Sequence, residues 1–117
     1  MSKQSWKPGN MLYPLPVVMV SCNRKGEKPN IVTVAWTGTI CSDPAMVSIS
    51  VRPERYSHDI IEETGEFVIN LVTKDLTYAT DYCGVRSGRD LGNGLDLVLQ
   101  GHVQRVSELD GAVFHDL

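Results

Sequence analysis

The segment from Trp36 to Pro44 combines residue types that could hold a planar heteroaromatic ligand. A large indole ring at Trp36 is followed by the hydroxyls of Thr37 and Thr39, with Gly38 between them. Glycine leaves the backbone unhindered, so N–H groups exposed at a bend could bond the edge of such a ring. An ordinary bulged strand with a packed tryptophan fits the same residues, and both interpretations stay open.

The segment from Ser50 to Ser57 could hold a phosphate. It brings Arg52 and Arg55 to the predicted start of a helix, where Ser57 is a suitable N-cap residue. Guanidinium groups and the free N–H groups of a helix N-terminus both suit a phosphate dianion. The two segments together indicate a ring-plus-phosphate ligand such as a mononucleotide. A capped surface helix flanked by solvated arginines is the alternative.

Other motifs that carry chemistry are missing from the sequence. His58, His102 and His115 are scattered and have no Gly-x-Ser-x-Gly beside them, so we predict neither a nucleophilic site nor a metal site. The run Gly92-Asn93-Gly94 lacks the third glycine of a dinucleotide fingerprint and precedes a strand pattern instead of a helix. We therefore predict no catalytic side chain and no metal ligand.

The elements that must position these segments are mostly strands. Alternating or β-branched apolar residues predict them, and polar runs with glycine or proline separate them. The predicted strands are Val17–Val20, Ile31–Ile40, Met46–Val51, Phe67–Leu71 and Leu95–Val106, and a returning strand begins at Val113.

Two short helices interrupt the strands. The first is predicted from Ser57 to a stop at Gly65, and the second from Lys74 to about Cys83, ended by Gly84. A bend or bulge is predicted at Gly38. Short, evenly spaced strands of this kind usually close as a barrel or sandwich, so the sequence predicts a mainly antiparallel β domain.

Length and composition limit the classes of protein. The 117 residues, 42% apolar and 21% charged, fit a single domain over residues 1–117, and residues 1–12 are predicted to form an N-terminal arm. The net charge of −3 argues against a nucleic-acid partner. No apolar run is long enough to span a membrane. Three cysteines without a disulfide or metal spacing favour a cytoplasmic protein.

Charge is distributed unevenly along the chain. Residues 1–58 contain seven Lys or Arg and three Asp or Glu, whereas residues 59–117 contain four and eleven. The basic half includes both segments described above. It could attract a phosphate, and a solvated surface without a role is the alternative.

The segments together resemble the flavin reductase-like, flavoredoxin-type family, from about Pro14 to Asp90. The motifs that carry the resemblance are NIVTVAW at 30–36, CSDPAMVSISVR at 41–52, YS at 56–57 and EFVINL at 66–71.

This resemblance implies an FMN-binding split β-barrel that works as a homodimer, with the flavin near the subunit interface. It also implies that NAD(P)H reduces the flavin or that bound FMN relays electrons. The cofactor then does the redox chemistry, which agrees with the lack of a catalytic side chain. A non-catalytic FMN-binding or electron-relay module is the alternative.

The family's binding residues carry over only where motifs match. The expected contacts are Asn30, Trp36, Thr37, Gly38 and Thr39 along the isoalloxazine and ribityl chain; Ser50, Val51, Arg52 and Ser57 near the phosphate; and Arg89 as an added cation.

The resemblance weakens after Asp90. The family would place a lysine-containing stretch, a longer connection and further strands there, but here Leu91–Gly94 leads directly to Leu95. We therefore expect residues 91–117 to form atypical C-terminal strands of a shortened barrel, whose flavin pocket a second subunit completes.

Overall fold

The described part of the chain folds into two three-stranded sheets with two short helices. A computed structural model describes residues 1–89 and 113–114. The elements in chain order are β1 Val18–Cys22, β2 Asn30–Val34, β3 Thr37–Ser42, β4 Ala45–Ile49, α1 Tyr56–Thr64, β5 Val68–Leu71, a 3-10 turn Lys74–Leu76, α2 Thr77–Val85 and β6 Val113–Phe114.

The first sheet has the order β2-β1-β5 with antiparallel pairing throughout. Its hairpin pairs Cys22 with Asn30, so the polar residues between them form the predicted loop. The second sheet has the order β3-β4-β6. Its antiparallel hairpin pairs Ser42 with Ala45, whereas β6 runs parallel to β4.

Alternation along β1 sends apolar side chains to both faces of the first sheet. On one face Val18 and Val20 pack with Ile60 and Ile61 of α1. On the other face Met19, which is fully buried, packs with a cluster that includes Leu76 from the 3-10 turn and residues of α2. A central strand covered on both faces explains why the run Val17–Val20 has no polar interruption.

Most predicted elements are confirmed, including the strands at β1, β4 and β5, both helices and the left-handed Gly65 that ends α1 at φ 70°. The prediction of one strand over Ile31–Ile40 is wrong, because this segment is divided between β2 in the first sheet and β3 in the second. The predicted strand Leu95–Val106 lies outside the described residues. Neither nine-residue helix has the length or the apolar character to cross a membrane, and no other helix in the described ranges has.

The predicted bend at Gly38 is wrong in position. The chain turns at Ala35–Trp36, where it leaves the first sheet for the second, and the β-bulge lies between Thr39 and Cys41. Gly38 has no positive φ, and a Cβ added there would meet nothing within 4 Å. The bend is set by the change of sheet and does not require glycine.

The predicted end of the second helix at Gly84 is also wrong, because α2 continues to Val85. A Cβ added at Gly84 would lie 3.5 Å from the Cβ of Thr33 on β2. This is an ordinary van der Waals distance, so the packing of α2 on the sheet does not require glycine at this position. The Thr33 hydroxyl donates a hydrogen bond to the carbonyl of Thr80 across the same contact.

Candidate functional site

A groove of about 300 Å³ opens where the chain leaves the first sheet. One wall is the end of β2 with the bend that follows it, and the other is the connection between β4 and α1. The lining residues are Val32, Thr33, Val34, Ala35, Trp36, Ser50, Val51, Arg52 and Arg55. Trp36 from the first sequence segment thus lies in the same groove as Ser50, Val51, Arg52 and Arg55 from the second.

One backbone hydrogen bond joins the two walls. The N–H of Ser50 donates to the carbonyl of Trp36 at 2.8 Å, just beyond the last strand residue of β4. The Trp36 side chain is 42% exposed, so its indole surface is open to a ligand. A fixed backbone with an exposed ring suits a planar molecule that stacks or lies along it.

The groove also contains two arginines without ionic partners. Arg52 and Arg55 form no ion pair with any residue that the structure describes, and both are exposed. The N–H of Arg55 donates to the carbonyl of Arg52 at 3.0 Å, which holds the two residues in one turn. Two unpaired guanidinium groups on one turn make this part of the groove cationic.

The same turn leads into the N-terminus of α1. Arg55 is the N-cap residue, and its side chain accepts no hydrogen bond from the first N–H groups of the helix. The positive end of the helix dipole therefore adds to the two guanidinium charges. A phosphate would find hydrogen-bond donors from both sources here.

Ser57 does not cap the helix as predicted, because its hydroxyl is used elsewhere. Ser57 is 1% exposed and accepts a hydrogen bond of 2.7 Å from Nδ2 of Asn30. The Oδ1 atom of Asn30 is buried without a hydrogen-bond partner among the described residues. The pair joins the start of β2 to the first turn of α1.

A second, much smaller cavity of about 10 Å³ adjoins Asn30. Its walls come from the start of β2 and the end of α2 with the residues that follow. They are Asn30, Ile31, Tyr82, Cys83, Arg86, Ser87 and Gly88. A space of this size is about large enough for one water molecule and not for an organic ligand.

The other predicted contacts lie apart from the groove lining. Thr37 donates its hydroxyl to the carbonyl of Ser48 at 2.9 Å, within the second sheet. Gly38 and Thr39 are exposed along β3.

Arg89 is also separate from the groove lining. Its guanidinium lies 5.5 Å from the centre of the Tyr56 ring and 3.7 Å from Oδ2 of Asp59. These two contacts hold the Arg89 side chain against α1.

Arg55 lines the groove but is not among the contacts carried over from the family. The sequence placed it with Arg52 in the basic segment that could hold a phosphate, and the spacing of three residues was the available signal. Among the described residues, the groove lining contains no Asp, Glu, His or Cys. The site can therefore bind and orient an anionic aromatic ligand, but its own side chains offer no general acid or base.

Known proteins share the sequence and the fold of this chain. Residues 10–114 match the family model of the flavin reductase like domain. The fold superposes on flavoredoxin of Desulfovibrio vulgaris (Miyazaki F) with a TM-score of 0.72 and 28% identity, over 89% of this chain and 59% of that one.

Two further proteins are similar. An FMN-binding domain of a flavin reductases-like enzyme from Shewanella baltica OS155 gives a TM-score of 0.66 and 25% identity, over 77% of this chain and 51% of that one. An uncharacterized protein of Archaeoglobus fulgidus is 32% identical over 77 residues, 66% of this chain and 42% of that protein.

The chain spans less than half the length of that curated relative and less than two thirds of both solved structures. The structural likeness confirms the predicted fold class, a mainly antiparallel split β-barrel with short helices.

Proposed function

The chain belongs to the flavin reductase-like family, and we propose that it binds FMN in the groove and serves as an NAD(P)H-dependent flavin oxidoreductase. The observation that carries the proposal is the position of Arg52 and Arg55 at the start of α1, where neither forms an ion pair with a described residue. They lie in the same groove as the exposed ring of Trp36. One cofactor with a phosphate at one end and a planar ring system at the other matches both walls.

The residues present fit FMN in charge and in shape. Arg52 and Arg55 would hold the phosphate through charge-assisted hydrogen bonds, with the first N–H groups of α1. Trp36 and the backbone near Ser50 would border the isoalloxazine ring. A groove of about 300 Å³ is at the lower limit for a ligand site, so FMN would fill it.

Other predicted contacts lie outside the groove lining and have a less direct role in the proposal. Asn30 and Ser57 connect β2 with α1 and would set the position of the phosphate end through that contact. Thr37, Gly38 and Thr39 would contact the ring only from the side of β3. Bound FMN would supply the hydride and electron chemistry, which the groove's own side chains do not offer.

A homodimer is part of the same proposal. The hairpin β3–β4 has mostly exposed or half-buried side chains, and Ile40 is 48% exposed. A second copy covering this hairpin would add a further wall to a groove that one subunit leaves open. The three free cysteines support a reducing compartment such as the cytoplasm.

The first test is FMN titration of purified protein, followed by flavin absorbance and quenching of flavin fluorescence. We expect Arg52→Ala to weaken FMN binding by about 1.5–3 kcal/mol, roughly 10- to 100-fold, because it removes a charge-assisted bond. Riboflavin, which lacks the phosphate, separates this loss from damage to the ring site. Its affinity should be the same in wild type and in Arg52→Ala.

Arg24→Ala provides the matched control. Arg24 is engaged by Glu63 and Glu27, away from the groove lining. Its removal should leave FMN affinity within about twofold of wild type. Equal losses for FMN and riboflavin in Arg52→Ala, or equal FMN losses in both variants, would contradict the phosphate site.

A non-catalytic FMN-binding or electron-relay module is the second candidate. The small volume of the groove favours it, because FMN alone would occupy the space and leave none for a nicotinamide. Consumption of NADH and NADPH, followed at 340 nm with FMN present, decides between the two candidates. FMN binding without NAD(P)H oxidation supports the module, and sustained turnover excludes it.

A further inference from the structure

Three potential metal-ligand atoms converge on the surface of α1. They are Nδ1 of His58, a carboxylate oxygen of Asp59 and a carboxylate oxygen of Glu62, all within 4.8 Å of one another. The Nδ1 atom lies 3.4 Å from Oδ1 of Asp59 and 3.9 Å from Oε2 of Glu62. The flavin proposal uses none of these three residues.

These separations are close to those in a metal site. Nitrogen and oxygen ligands at about 2.0–2.1 Å from a tetrahedral zinc ion lie about 3.3 Å from each other. The Asp59 oxygen already has nearly this spacing from Nδ1, and the Glu62 oxygen needs to move about half an ångström closer to Nδ1. The separation between the two carboxylate oxygens, which is within 4.8 Å, has to shorten by up to about 1.5 Å. Glu62 is a long side chain, 61% exposed, so that movement requires only a rotamer adjustment.

The local fold gives the site one fixed ligand and two adjustable ligands. The His58 side chain is only 7% exposed, whereas Asp59 and Glu62 are more than half exposed. Helical spacing places His58 and Glu62 on the same face of α1, four residues apart. Burial holds the imidazole in place, and the open side leaves room for water to complete the coordination.

Arg89 contacts the same cluster and has to be included in the argument. Its Nη2 lies 3.7 Å from Oδ2 of Asp59, which is the oxygen that does not face His58. Arg89 could therefore orient the Asp59 carboxylate while Oδ1 coordinates a metal. In metalloproteins, residues that hydrogen-bond to the metal ligands orient them in this way. Glu63 is bonded to Arg24 and does not belong to the cluster.

We propose that His58, Asp59 and Glu62 bind one divalent transition-metal ion at the surface of α1. A site with one imidazole and two carboxylates suits Zn²⁺ better than a site made of oxygen ligands alone does, because imidazole is a preferred ligand of zinc. This proposal differs from the expectation from sequence that the chain has no metal site. It stands independently of FMN.

Isothermal titration of the full chain with Zn²⁺, under reducing conditions and without FMN, tests the site. We expect one ion per chain and a loss of affinity of tenfold or more in Glu62→Gln, which keeps the shape but removes the charge. Asp59→Asn should produce a similar loss. Glu66→Gln is the matched control, because Glu66 is exposed and does not belong to the cluster, and it should bind as wild type does.

Further measurements separate this site from the alternatives. Co²⁺ bound at the site should give weak visible d–d bands without thiolate charge-transfer absorption in the near ultraviolet. Circular dichroism should show that the two variants retain the fold. Zn²⁺ binding that survives Glu62→Gln, a charge-transfer band abolished by Cys41→Ser, or equal heats with Mg²⁺ and Zn²⁺ would overturn the proposal.

Discussion

The two sheets of this small barrel differ in how they are covered. The first sheet has a core cluster on each face, and β1 at its centre contains Met19 and Val20 at 0% exposure. In the second sheet β3 has no buried residue, and β4 has only Ile49. The fold is therefore stabilised mainly through the first sheet, and the second sheet offers surface for binding.

The groove lies at the boundary between these two regions. Its β2 wall belongs to the first sheet, and Ser50 to Arg55 follow directly after the last strand residue of β4. A rigid wall beside an open one is a common arrangement for ligand sites, because the scaffold fixes some contacts while the remainder stay accessible.

The largest effect is expected from Met19→Ala. Removing this fully buried side chain should lower the free energy of unfolding by about 2–5 kcal/mol, since it leaves a cavity between β1 and α2. Met46→Ala removes the same atoms from the partly exposed β4 and should cost about 1 kcal/mol or less. Chemical denaturation followed by circular dichroism measures both. Similar losses would show that the sheets are equally important for stability.

Ile40→Asp tests whether a second copy covers the exposed hairpin. A carboxylate placed in an apolar contact should raise the dissociation constant of the dimer about 30-fold or more, roughly 2 kcal/mol. Light scattering coupled to size-exclusion chromatography reports the mass at several concentrations. Tyr78→Asp, at a more exposed position on α2, should leave the mass unchanged. A wild-type protein that is monomeric at every concentration would remove the dimer from the proposal.

Ser57→Ala tests how much a buried polar contact contributes to stability, compared with a polar side chain on the exposed β3. It removes the acceptor of the Asn30 amide, whose other polar atom already has no partner among the described residues. We expect a loss of about 1–3 kcal/mol in unfolding free energy, because a buried donor is left unpaired. Ser42→Ala, on exposed β3, should change stability by about 0.5 kcal/mol or less. Equal effects would mean that the buried pair contributes nothing.

The smallest effect concerns two buried thiols, one on each face of the first sheet. Burial raises the pKa of Cys22 and of Cys83 above the usual thiol value. The unfolded chain therefore releases these protons at lower pH than the folded chain, and the stability that they contribute declines as pH rises above about 8.5. Urea denaturation at pH 7 to 10 should show this decline. A Cys22→Ala, Cys83→Ala double variant should show less of it, and an unchanged slope would contradict the effect.

Much of the fold could be predicted because its determinants are local. The β-branched run of β2, the alternation in β4 and the glycine after α1 each specify their element without reference to distant residues. Gly38 and Gly84 were misjudged for a common reason. Glycine often marks a break, but here one lies within an exposed strand and the other lies where α2 approaches Thr33.

The candidate site could also be predicted only in part. The sequence alone determined that Trp36 and Arg52 belong to segments suited to a ring and a phosphate, because those side chains carry the chemistry themselves. Only the tertiary structure decided that the two segments form one groove, that Arg55 joins it, and that the Ser57 hydroxyl bonds to Asn30. The hydrogen bond between Ser57 and Asn30 joins groups that are 27 residues apart in the chain. The groove forms where the chain passes from the first sheet to the second. Spacing along a sequence does not specify such contacts, because they are set by how the sheets and α1 pack together.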